Sequence, residues 1–250
     1  IVGCLYSENA TVLDCHNNGT IDVILNRRTY GLSTAHASGI IGKMNSRSSA
    51  SFIIDSCTNT GDVTFSIENV TGSIVKNATA NGIVGFSPSI QNITIDNCHN
   101  SGKISMISQN ENVSLYGSGI ASVDPEVTNQ IVFDIIECTN RGNVTASGSS
   151  TEIYSAGILS SSNVLYKLKM TSCMNTGFVT GTNHSAGLAL VSSLIENSVN
   201  IGVVNGSYSY GIAKYPGSLY EVVSIGDLVC SVKCHALYDA CGGLGNMYYK

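Results

Sequence analysis

Charge is scarce in this chain of 250 residues: Asp, Glu, Lys and Arg make up 12% of it, against about a quarter in an ordinary globular domain. Its twelve basic residues are scattered and the net charge is −5, which leaves no footprint for nucleic acid or an anionic membrane. No apolar run is long enough to insert into a bilayer, and the first residues hold no secretory hydrophobic segment. Metal-type spacing is missing from the repeated cysteines, since Cys15, Cys57, Cys98, Cys138 and Cys173 stand 42, 41, 40 and 35 positions apart. Helical periodicity is missing too. These residues call for no metal and no cofactor.

What the chain has is one phrase repeated. Cys-x-Asn-x-Gly followed by an aliphatic residue occurs as CHNNGTI from Cys15, CTNTGDV from Cys57, CHNSGKI from Cys98, CTNRGNV from Cys138 and CMNTGFV from Cys173. Degenerate copies start at Ser198 and Val222, making seven turns of one unit. A second phrase lies between them: SGIIG at Ser38, NGIVG at Asn81, SGIAS at Ser118, AGILS at Ala156, AGLAL at Ala186 and YGIAK at Tyr210. Self-similarity at this period marks a solenoid, in which neighbouring units cover each other's apolar faces.

Columns counted from the Cys position identify the unit. Three places before it stand Val12, Ile54, Ile95, Ile135, Met170, Ile195 and Leu219; six places after it stand Ile21, Val63, Ile104, Val144, Val179, Val204 and Leu228. The column five places after is mixed and mostly polar, so the short runs alternate as strands do. This predicts an all-β chain: a right-handed parallel β-helix over residues 1–229, with about seven tapering coils of two or three short strands and a cap over 230–250. Equivalent residues then stack about 4.8 Å apart. Asn17, Asn59, Asn100, Asn140, Asn175 and Asn200 form an amide ladder with Ser224 as its last rung. The Gly two places further on is expected to supply left-handed corners. Cys15, Cys57, Cys98, Cys138 and Cys173 form an inward ladder of free, inert thiols rather than disulfides.

The ends differ. IVGC at Ile1 aligns with IIGK from Ile40, so the chain opens in mid-repeat, as a fragment of a longer protein would. At the other end Cys230, Cys234 and Cys241 are disulfide candidates in an oxidising compartment, with a zinc site that includes His235 as the alternative. Seven of the twelve Tyr lie from Tyr208 onward, as a cap or an interface would require. Nine Asn-x-Ser/Thr sequons, at Asn9, Asn18, Asn69, Asn77, Asn92, Asn112, Asn143, Asn183 and Asn205, are glycosylation candidates in a eukaryotic host and point outside the cell.

The alternation of the two phrases resembles the GLUG-type repeats of large surface and secreted proteins, and is similar to polymorphic outer-membrane repeats. The family pattern carries two Gly before the aliphatic residue; here Ser38, Asn81, Ser118, Ala156, Ala186 and Tyr210 take the first place. The resemblance implies an extracellular or cell-surface β-solenoid and no catalytic residues.

The expected function is therefore non-enzymatic: a structural or adhesive module of a surface fibre, appendage or adhesin, with self-association, another surface protein or a glycan as partner. The alternative is a β-helix polysaccharide lyase or glycoside hydrolase using stacked carboxylates, for which Asp55 and Asp96, with Glu137 beside them, are the candidates. An ice-binding grid is not supported, since the column seven places after the Cys starts with Asp22 and ends with Asn205 and Val229.

Overall fold

The Cys-x-Asn-x-Gly phrase is a corner, and it sets the path of every coil. The computed structural model describes residues 2–7, 9–26, 34–45, 51–68, 75–86, 92–123, 132–161, 167–237 and 247–249. Among these residues there is no helix, and every strand pairs parallel with its counterpart one coil away, so the chain is a parallel β-helix.

An early coil holds five strands rather than two or three: Thr58–Asn59, Val63–Ile67, Asn77–Asn81, Val84–Phe86 and Asn92–Asp96. Two features explain the difference. The Asn corner is itself a two-residue strand, and the Gly phrase bends the opposite side into two. The register matches the columns, with Asn59 beside Asn17 and Asn100, Ile54 beside Val12 and Ile95, and Val63 beside Ile21 and Ile104. The strands collect into two sheets of twelve and one of eight.

Taper follows from merging. In the fifth coil the last two strands fuse into Ala189–Glu196, and in the sixth Val204–Tyr210 and Ala213–Tyr220 each span a former break. The coil repeat shortens from 42 residues to 25 as this happens.

Corner polarity is satisfied internally. Asn17 Nδ2 donates to Asn59 Oδ1 at 2.7 Å, Asn59 to Asn100 at 2.7 Å, and Asn100 to Asn140, Asn140 to Asn175 and Asn175 to Asn200 at 2.8 Å each. Each Nδ2 also donates to the carbonyl of the Gly two residues on, at 2.8–3.0 Å. From Asn17 to Asn175 both amide hydrogens are thus used inside the protein, where an unmade bond would be costly.

Glycines complete the corner for a reason other than the one expected. None of the corner Gly is in the left-handed region; a Cβ on Gly61, Gly102, Gly142, Gly177, Gly202 or Gly226 would overlap the carbonyl of the equivalent Gly one coil back. The left-handed residues are those just before the Cys column, Asp14, Ser56, Asn97, Glu137, Ser172, Asn197 and Glu221, with φ between 46° and 55°. None of these is Gly. At most rungs the backbone N–H donates to a carbonyl of the next coil, as Ser56 does to Asp96 at 3.1 Å, and the stack holds a conformation that costs about 1–2 kcal/mol per residue.

The second Gly phrase closes a waist. A Cβ on Gly39, Gly82, Gly119, Gly157 or Gly187 would overlap an Asn carboxamide reaching across from the corner and a carbonyl of the neighbouring coil. Asn ladder and Gly ladder thus meet inside the coil and divide its core. One lobe holds Met44, Phe52, Ile54 and the Cys column; the other holds Val63, Phe65, Ile104 and Leu115. Full burial of each such side chain stabilises by about 1.5–3 kcal/mol.

Candidate functional site

Five of the ladder cysteines behave as packing groups. Cys57, Cys98, Cys138 and Cys173 are buried free thiols and Cys15 is partly exposed. Each of the four buried sulfurs donates to a backbone carbonyl one coil back, Cys98 to Ile54 at 3.7 Å, for example. The Cys57 and Cys98 thiols are pushed far above the ordinary range, first by hydrogen bonding to the next thiol in the column; burial does the same to Cys138. Such thiols do not form the thiolate that reaction or metal binding needs.

Cys230 and Cys234 form a disulfide, so neither is a thiolate ligand, and no cluster among the described residues fits a metal ion. Cys241 and Asn69 lie outside the described residues. Of the remaining sequons, Asn9, Asn18, Asn92, Asn112, Asn143 and Asn205 are exposed and Asn183 is half-buried. Asn77 is a correction: it lies in a strand at 6% exposure, which leaves no room for a glycan on the folded chain.

The carboxylate candidates are only partly brought together. Asp55 and Asp96 are register neighbours, and Ser56 Oγ donates to Asp55 at 2.9 Å. Ile136 holds the next place in that column, while Glu137 belongs to the left-handed column with Ser56 and Asn97.

A seam of polar and aromatic side chains lies on the Gly side and was not read from the sequence. His36, Thr79, Tyr116, Tyr154, His184 and Tyr208 are in register, three places before the Gly of each second phrase. The rings stack from Tyr116 to Tyr154 at 5.2 Å, Tyr154 to His184 at 5.4 Å and His184 to Tyr208 at 4.9 Å. Gly85 on the facing strand comes so near that a Cβ there would be 3.2 Å from His36 Nδ1. The His36 ring bonds Thr79 at 2.8 Å and Thr34 at 3.2 Å, and burial, with help from Lys43, pushes its pKa down to about 4. Lys214, only 9% exposed, places Nζ 5.4 Å from the Tyr154 ring and 4.9 Å from that of Tyr215. The seam is an internal brace, with one 20 Å³ cavity beside Lys214. Aligning the second phrase on its Gly would have revealed it.

Open recesses also lie on the outer surface. A shallow one of 380 Å³ lies over Thr180, Thr182, Asn205 and Ser207. Another of 280 Å³ lies on the back of the Asn corners, lined by Thr58, His99, Asn100, Ser101, Thr139 and Arg141. The outer columns along this back change character: Met174, Val199, Ile201, Val223 and Ile225 replace polar residues in the late coils, and Ile201 and Ile225 are 45% and 44% exposed. Compared with known protein families, curated proteins and solved structures, the chain matches none.

Proposed function

We propose that this chain is a non-enzymatic extracellular rod module, structural or adhesive, of a surface fibre, appendage or adhesin, with self-association, another surface protein or a glycan as its partner. One observation carries the reading: among the described residues every strand pairs parallel with its counterpart one coil away, and the amide ladder runs without a break from Asn17 to Asn200, so the coils form one continuous stack. Rows of backbone-paired strands of this kind make a stiff rod.

The resemblance to GLUG-type surface repeats and the exposed sequons support the compartment. Negative-stain microscopy of native material tests the assembly, with elongated or end-joined particles expected. Isolated short particles at every concentration contradict it. Release of reducing ends from a polysaccharide panel would overturn the non-enzymatic reading in favour of Asp55 and Asp96.

A further inference from the structure

The back of the Asn corners is where the coil presents polar chemistry that the fold itself does not use. Asn100 turns its amide inward, donating to Asn140 and Gly102 and accepting from Asn59. Its neighbours His99 and Ser101 therefore point outward, next to Thr58 and Thr139 one coil to either side and to Arg141. His99, Ser101 and Arg141 are exposed and the two Thr half-exposed. No hydrogen bond or ion pair among the described residues holds the Arg141 guanidinium, the His99 ring or the three hydroxyls. The carboxylate of Asp62 lies outside the lining, where it accepts the Lys103 N–H at 2.8 Å.

We infer that this recess is a subsite for a carboxylated sugar within an acidic polysaccharide. The proposal rests on the adhesive half of the reading above and supplies its ligand class. A guanidinium presents two parallel N–H groups that match a carboxylate, and such charge-assisted pairs are about twice as strong as neutral ones. Thr58, His99 and Thr139 repeat at the coil spacing of about 4.8 Å and offer donors and acceptors to sugar hydroxyls along the groove. Since the chain is net negative, −5, its overall field does not gather polyanions; recognition of one falls to the local group.

Isothermal titration of the whole chain at low salt tests this with polygalacturonate, fully methyl-esterified pectin and dextran sulfate. Polygalacturonate is expected to bind and the neutral ester not to. Arg141→Gln is expected to weaken binding about tenfold to a hundredfold. Lys167→Gln, an exposed cation on another strand, leaves it within about twofold. An unchanged thermal midpoint shows that Arg141→Gln is folded. No binding of polygalacturonate, equal binding of the ester, equal loss in both variants, or binding of dextran sulfate alone each overturn the assignment. Rod assembly by microscopy is unaffected by any of these outcomes, so failure of the subsite and failure of the module reading are told apart.

Discussion

The first coil and the third are made of the same phrase, yet the same residues do different work in them. Gly19 has open space where a Cβ would go, its nearest neighbour being Asn17 Oδ1 at 3.7 Å, whereas a Cβ on Gly102 would overlap the Gly61 carbonyl. Asn17 donates onward to Asn59 but no ladder amide donates to it, while Asn100 both accepts from Asn59 and donates to Asn140. The difference teaches that a coil is not a unit of stability; each rung gains its value from the coils on both sides.

Substitutions paired across these coils sharpen the contrast. Asn100→Ala leaves the Asn59 amide without its acceptor, removes the donor to Asn140 and strands the Gly102 carbonyl, so chemical denaturation is expected to show a loss of about 4 kcal/mol. Asn17→Ala, in the first coil, is expected to lose about 1.5 kcal/mol. Equal losses would erase the distinction. Gly102→Ala is expected to cost about 3 kcal/mol through overlap with backbone, and Gly19→Ala to be neutral or stabilising by about 0.5 kcal/mol, read as shifts in thermal midpoint.

Acid separates the seam from the ladder. The folded pKa of His36, about 4, lies below the ordinary 6.5, so the neutral ring sets no pH dependence above 6.5. Between there and 4 the unfolded chain takes up the proton first, and stability falls by up to about 3 kcal/mol before levelling off. The amide ladder has no such slope. His36→Gln should flatten the stability profile in that window, and an unchanged profile would remove His36 from the account.

A smaller loss than at the amide ladder is expected at the thiols. Ser198 already occupies the sixth rung of the Cys column, where its Oγ accepts the Cys173 N–H at 3.0 Å and donates to Glu196 O at 2.6 Å. Cys138→Ser therefore has a hydrogen-bonding pattern to adopt and is expected to cost about 1 kcal/mol, measured by urea unfolding.

Much of this was legible in the residues. The Asn, Cys and aliphatic columns read from spacing alone are the register of the strands, because stacking places like side chains over one another and each inward place tolerates few residue types. Five strands per early coil were not legible, since the waist depends on Asn59 or Asn100 reaching a Gly half a coil away. Nor was the left-handed position, because Asp14, Ser56, Asn97, Glu137, Ser172, Asn197 and Glu221 are polar like many outward places and none is the Gly that such a φ favours; the carbonyls that most of their N–H groups meet come from the next coil. Asn77 reads as a sequon because a tripeptide carries no information on burial. The recess at His99 and Arg141 escaped notice since its members come from three coils and from columns of unlike residues.

The most direct test of the stacked columns is proton NMR on the side-chain amides of Asn59, Asn100 and Asn140. The account expects nuclear Overhauser effects linking each amide to the next, across 41 and 40 residues of sequence, and slow exchange with solvent. Rapidly exchanging amides without those contacts would contradict it.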